Sequence, residues 1–157
     1  ALLAYAPQLV VLVSPNAALP GPANSRKAIA AAGLPVITLS DGPSKKAFFK
    51  KNEEGKQVMQ VPENQGFMIF PADSMIGARR EFLDPTEMSL FNADVIRVLA
   101  ATGVLRLVQH QLDRVIADLR NGQPPQFPTL TVTPDKAVAA GDFRNPYAAA
   151  KAYAALA

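Results

Sequence analysis

The sequence contains no cysteine and no tryptophan, and His110 is its single histidine. Without thiols there is no disulfide framework, thiolate-bound zinc, iron–sulfur cluster or cysteine nucleophile. One imidazole does not build a histidine-rich metal site and argues against most histidine-based triads. No apolar run approaches the ~18 residues of a membrane span, and no signal-peptide pattern is present. Charge of one sign is also scarce: 16 Lys and Arg face 13 Asp and Glu, for a net +3. That is too mild for the clustered basic face of a nucleic-acid binder. Neither a P-loop nor a G-x-G-x-x-G after a strand occurs, so a nucleotide-like cofactor must be held in another way, or by a part of the protein outside this chain. No carboxylate pair is singled out by its spacing for acid–base work.

What is present is a globular composition, 49% hydrophobic and 18% charged over 157 residues, enough for one domain with a sizeable core or parts of two small ones. With no cysteine, leader or span, the expected location is the cytoplasm. Both ends read as cut. Position 1 is Ala, followed by the apolar Leu2-Leu3-Ala4-Tyr5. At the far end an Ala-rich helix, capped by Asn145 with Pro146 in its first turn, runs to Ala157 without a stop residue. The expectation is a piece of a longer protein.

Along the chain, Leu9–Val13 is a short continuous apolar run, the pattern of a strand buried on both faces, Pro35–Leu39 is a second buried strand, and Phe67–Phe70 is a third strand. Between them, Ser25–Ala32 reads as a helix closed by Gly33. A second helix is expected from a Ser44 cap to about Glu54, stopped by Gly55. Strands alternating with helices predict an α/β fold, a parallel sheet of βαβ units. In such sheets ligands sit beyond the carboxyl ends of the strands, which here are followed by the loops 14–22, 40–44 and 71–81.

Farther on the chain becomes helical. Asp84-Pro85-Thr86-Glu87 has the capping-box arrangement. Phe91, Val95, Val98, Thr102, Leu105, Gln109, Leu112, Ile116 and Leu119 then recur at steps of three and four. They predict a packing stripe on one long helix, kinked near Gly103 and ending at Asn121-Gly122. The expected organisation is part of a parallel α/β domain over 1–75 and a mainly helical region over 76–157. A proline-rich linker lies at 122–128, with a short strand at 129–133.

Chemistry is sought at the strand-end loops. Arg79 and Arg80, after a strand and before a helix start, can meet an anion with two guanidinium forks, or Arg80 can pair with Glu81 or Asp84 to fix the helix entry. Asp41 and Asp73 each follow a strand, where they can cap the next helix or accept hydrogen bonds from a heterocycle. Asn16 is a turn residue or a ligand contact. Asp94 and Arg97 suit a surface pair worth ~0–1 kcal/mol, and the small residues Ala100-Ala101-Thr102-Gly103 suit close helix packing.

Taken together, Pro15-Asn16-Ala17-Ala18-Leu19-Pro20-Gly21-Pro22, Asp41-Gly42-Pro43, and Gly77-Ala78-Arg79-Arg80-Glu81-Phe82-Leu83-Asp84-Pro85 resemble segments of the coenzyme F-420-dependent methylenetetrahydromethanopterin dehydrogenase family. So do Glu87-Met88, Asn92-Ala93-Asp94, the run from Val98 to Gly103, Phe143 and Asn145-Pro146-Tyr147-Ala148. The resemblance spans nearly the whole chain in one order. It implies a family roughly a third to nearly a half longer than this chain, with an N-terminal βα segment and a C-terminal stretch that have no counterpart here. The family's Gly-containing cofactor loop is among the parts without a counterpart, and the segment from Phe48 to Gln65 departs from the family pattern.

The activity implied is reversible hydride transfer between the methylene bridge of a tetrahydromethanopterin-type one-carbon carrier and carbon 5 of coenzyme F-420. That coenzyme, an 8-hydroxy-5-deazaflavin, acts as a dissociable cosubstrate, with no metal. Loss of hydride leaves a cation spread over two pterin nitrogens, so no strong base is required, and no side chain is named as catalytic. The implied binding residues are Asn16, Asp41, Asp73, Arg79, Arg80, Glu81 and Asp94, in a homo-oligomer with no nucleic-acid or membrane partner. Two other readings compete: a shortened, non-catalytic binding or assembly subunit, and a pterin reductase using another hydride donor.

Overall fold

The computed structural model describes residues 2–70 and 102–156. They fall into two compact units, the first comprising residues 2–70 and 113–131 and the second residues 102–112 and 132–156. The capping box at 84–87, the Asp94–Arg97 pair and the stripe positions Phe91, Val95 and Val98 lie outside the described residues.

Among the described residues the first unit has four parallel strands, β1 (Val10–Ser14), β2 (Val36–Asp41), β5 (Gln65–Phe70) and β6 (Thr129–Thr131), in the order β1-β2-β5-β6. Only the inner strands are buried on both faces: Val36, Ile37, Thr38, Phe67, Met68 and Ile69 are fully buried. β1 departs from its expected burial. Among the described residues it stands at one end of the strand order, with Val11 40% and Val13 74% exposed. An apolar run alone does not reveal how much of each strand face its neighbours cover.

Helix α1 (Pro20–Ala31) connects β1 to β2 and starts five residues before the expected Ser25. Pro20-Gly21-Pro22, read as loop, forms its first turn instead. There a missing N–H costs nothing and the fixed φ of proline suits the helix. Gly33, at φ +74, closes it as expected.

A larger correction concerns residues 44–54. The helix expected there ends after one turn, α2 (Lys45–Phe48), and an antiparallel hairpin follows, β3 (Phe49–Lys51) paired with β4 (Gln57–Met59). Asn52 and Gly55 decide this locally. The Asn52 Oδ1 accepts from the Lys56 N–H at 2.8 Å, the Gly55 N–H donates to the Asn52 carbonyl at 2.9 Å, and Gly55 sits at φ +76. The glycine expected to end a helix makes a hairpin turn. Tertiary packing reinforces the choice, because the strand geometry sets Phe49 edge-on to Phe67.

The core on this side of the sheet centres on Phe67, which stacks on Phe48 with centroids 4.4 Å apart and planes at 19°. Ala17 and Ile69 complete that cluster, and Val10, Ile29 and Val36 form a second one under α1. The proline-rich linker delivers β6 beside β5. The Pro128 carbonyl accepts from the Phe67 N–H at 2.6 Å. A Cβ on Gly66 would stand 2.8 Å from that same carbonyl oxygen, so the absence of a side chain permits the approach.

Helix α3 (Val104–Arg120) starts directly after Gly103, whose φ of +83 is left-handed. Regular helix therefore does not run through Gly103. Within α3 the buried positions differ from the expected stripe. Leu105, Gln109 and Ile116, expected inward, are exposed, whereas Val104, Leu107 and Val115 are buried. A phase counted from Phe91 cannot survive a left-handed residue.

In the second unit, α4 (Pro134–Gly141) has Thr133 as its N-cap, accepting from the Lys136 N–H at 3.4 Å. It ends on Asp142 at φ +48 and packs against α5 (Pro146–Leu156). Asn145 caps α5 as expected, its Oδ1 accepting from the Ala148 N–H at 3.1 Å. Tyr153 is fully buried on α5, and that burial raises its pKa above the usual tyrosine value. Among the described residues no helix is long and apolar enough to cross a membrane.

Candidate functional site

Parallel register brings the ends of β1 and β2 together, with Ser14 beside Ser40, and places Asp41 beside Phe70 of β5. The loops after β1 and β2 thus leave the same edge of the sheet, as the sequence predicts. Side chains then join them. The Ser40 hydroxyl donates to the Ser14 carbonyl and meets the Ser44 hydroxyl at 2.5 Å. The Ala17 N–H points at both serines, 2.8 Å from the Ser44 Oγ and 3.1 Å from the Ser40 Oγ. A carbonyl can only accept, so the Ser40 proton goes to Ser14 and the Ser44 hydroxyl donates to Ser40. Every polar atom of the buried pair is then accounted for.

The next peptide unit, on the carbonyl side of Ala17, is held as well. Its carbonyl accepts from the Arg26 Nη1 at 2.9 Å, and the Arg26 guanidinium lies 4.9 Å from the centre of the Phe48 ring. Partial burial pulls the Arg26 pKa below its usual value, and the guanidinium remains charged at any ordinary pH. Asn16 folds onto its own loop, its Oδ1 accepting from the Ala18 N–H at 3.1 Å. That is the turn role, with the residue still partly exposed.

Asp41 ends β2 and is 6% exposed. Its side chain does not cap the short 3-10 turn that follows, Gly42–Ser44. Ser44, expected to cap a helix, is turned to the serine pair instead and makes no cap bond to α2. The hydrogen bonds joining Ser14, Ala17, Ser40 and Ser44 thus form a clip between the two loops, and Asn16 and Asp41 each adjoin a residue of it on the lip of the sheet. Asp73, Arg79, Arg80, Glu81 and Asp94 lie outside the described residues.

Replacing Ser44 by Ala removes one donor and one acceptor from a buried network. The expected loss is ~1–3 kcal/mol, read as a lower urea midpoint with an unchanged slope. A loss below about 0.5 kcal/mol would mean that water replaces the hydroxyl.

Sequence reasoning missed Ser40, Ser44 and Arg26 as the residues that shape this lip. The serines looked like ordinary turn and cap residues, and only their position beside the strand ends hinted at more. In the second unit, α4 and α5 frame a hollow of about 440 Å³ whose lining includes Asp135, Asp142, Phe143 and Ala150. Its lining contains no basic group for an anionic ligand.

Comparison with known proteins places this geometry. The chain is 55% identical over 152 residues to the F420-dependent methylenetetrahydromethanopterin dehydrogenase of Archaeoglobus fulgidus, a match covering 97% of the chain and 52% of that protein. With the enzyme of the same name from Methanothermobacter marburgensis it shares 47% over 146 residues, 93% of the chain and 50% of the relative. The fold superposes with a TM-score of 0.76 and 36% identity on a solved F420-dependent methylene-tetrahydromethanopterin dehydrogenase, a complex with methylene-tetrahydromethanopterin and coenzyme F420. That match covers 98% of the chain and 52% of the solved one. The chain therefore spans about half the length of the curated relatives it matches, a larger difference than the resemblance implied. The family model for methylene-5,6,7,8-tetrahydromethanopterin dehydrogenase matches residues 1–157, and the chain belongs to that family.

Proposed function

We propose that this chain serves reversible hydride transfer between a methylenetetrahydromethanopterin-type one-carbon carrier and the deazaflavin coenzyme F420, within a homo-oligomer. The observation that carries the reading is the superposition, across nearly all of the chain, on a relative solved with both of those molecules. The lip supports it independently, since it lies at the carboxyl edge of a parallel sheet, where such folds hold their ligands.

The reaction asks little acid–base work of the protein. Hydride departure leaves a cation delocalised over two nitrogens of the carrier, and the deazaflavin supplies the accepting carbon when bound. The side chains must place donor and acceptor carbons at attack distance and keep them there. The clip fits that task. It fixes Ala17 through both its N–H and its carbonyl, in the loop that carries Asn16 and against the end of β2 that carries Asp41. Asp41 and, on the same reading, Asp73, Glu81 and Asp94 supply carboxylates that favour the developing positive charge. Arg79 and Arg80 supply guanidinium forks for anionic tails.

Two measurements on the intact protein test this. With the carrier as donor, turnover is expected with the deazaflavin and not with a nicotinamide; preference for the nicotinamide would overturn the cofactor assignment. The double substitution Arg79→Ala and Arg80→Ala is expected to weaken binding of at least one ligand tenfold or more, with Tm within about 2 °C of the parent. A large fall in Tm with unchanged binding would assign the pair to structure.

A further inference from the structure

Charge on this chain is concentrated in one place. Residues 45–56 hold five lysines, Lys45, Lys46, Lys50, Lys51 and Lys56, against two acids, Glu53 and Glu54. That short stretch carries +3, equal to the net charge of all 157 residues. Glu54 takes the Lys56 ammonium at 2.9 Å, and this is the one ion pair found among the described residues. Lys45, Lys46, Lys50 and Lys51 are exposed, and no carboxylate among the described residues meets them.

The fold determines where these charges stand. Ser44 is anchored in the clip at the carboxyl edge, and Lys45 is the next residue. The one-turn helix α2 and strand β3, which follow directly, carry the four lysines. Stacking of Phe48 on Phe67 and of Phe49 edge-on to the same ring fastens that segment to the sheet. Alternation along β3 puts Lys50 on the face opposite Phe49. The lysines are thus a basic strap, rigidly rooted beside the proposed cleft. A helix that continued to residue 54, as the sequence predicts, would have spread them around its circumference.

We infer that this strap binds the flexible polyanionic tail, phosphate and carboxylates, of a ligand whose heterocycle occupies the cleft. The inference rests on the proposed hydride-transfer function, in which both the deazaflavin and the one-carbon carrier end in tails of this chemistry. Four exposed ammonium groups suit a mobile polyanion better than a single rigid one, since each contact is weak and their sum is screened by salt. The strap does not touch the reacting carbons, so its contribution appears in affinity and not in the chemical step.

The experiment uses the intact enzyme and its variant with Lys45, Lys46, Lys50 and Lys51 all changed to Gln. KM and kcat are measured for the deazaflavin with its full tail and for the tail-less deazaflavin, and likewise for the carrier with and without its tail, at low and high salt. In the variant, KM for one full-length ligand is expected to rise about tenfold at low salt. Its tail-less form should stay within twofold, kcat should be unchanged, and salt should erase the difference. The ligand showing that pattern is the one whose tail crosses the strap. An equal effect on full-length and tail-less forms, or none on either, overturns the assignment while leaving the hydride-transfer reading intact. Failure of the unaltered enzyme to turn over either deazaflavin overturns that reading, and the strap's assignment with it.

Discussion

Alanine at Gly103 is expected to cost more than about 3 kcal/mol, the upper range for single substitutions. Two independent penalties combine. At φ +83 the backbone is left-handed, which disfavours any L-residue with a Cβ by ~1–2 kcal/mol. The new Cβ would also overlap the Ala137 carbonyl, standing 2.8 Å from its carbon and 3.1 Å from the Gly141 N. These are backbone atoms of α4, which no rotamer change can move aside. Gly122 provides the control: it too has positive φ, +64, yet a Cβ there would meet nothing within 4 Å. Gly122→Ala should therefore show the conformational penalty alone. Urea unfolding of both variants separates the two terms, and equal losses would show that α4 yields without cost.

Removing the Phe67 ring should be nearly as severe. Phe67→Ala deletes a fully buried side chain that stacks on Phe48 and receives Phe49 edge-on. Aromatic-to-alanine changes in cores cost ~3–5 kcal/mol. The loss should extend beyond stability, because Phe48 is also the surface over which the Arg26 guanidinium lies while it holds the Ala17 carbonyl. Phe67→Leu, which keeps most of the volume, is expected to recover more than half of the loss. Phe49→Ala, truncating a half-buried ring, should cost visibly less than Phe67→Ala. If Phe49 proved the more expensive of the two, the centre of this core would lie in the hairpin and not on β5.

The sheet was legible because its signal is local. Val10–Val13, Val36–Leu39 and Phe67–Phe70 are apolar runs bounded by turn residues, and each falls in a strand of the parallel sheet. Two kinds of information were not local. The choice between helix and hairpin at 44–54 turned on whether Gly55 would stop a helix or turn a hairpin, and the sequence permits either. The Phe49–Phe67 contact helps decide, and it joins residues eighteen positions apart. The phase of α3 was misjudged for a related reason, since a left-handed Gly103 is invisible to periodicity counted across it.

At the site, the sequence directed attention to the carboxyl edge of the strands and to Asn16 and Asp41, which adjoin the serine network there. It could not reveal the clip. The pairing of Ser40 with Ser14 and Ala17 depends on the parallel register of β1 against β2, a relation that no single-strand pattern encodes. The long Gly77–Pro85 string carried the family resemblance, which the family match upholds.

The sheet order has a consequence for how the molecule assembles. β5 lies between β2, completed at residue 41, and β6, whose residues pair with it from about sixty positions downstream. As the polypeptide emerges from the ribosome, β1, β2 and β5 exist well before β6. For that interval the flank of β5 that will pair with β6 waits for its partner, a condition that favours sticking to other nascent chains. Closure of the β5–β6 ladder is a long-range event, of the kind that slows folding. The approach of Pro128 to the bare backbone of Gly66 is where that event begins or fails, so substitutions there should lower the yield of folded protein more than they lower the stability of molecules that have already folded.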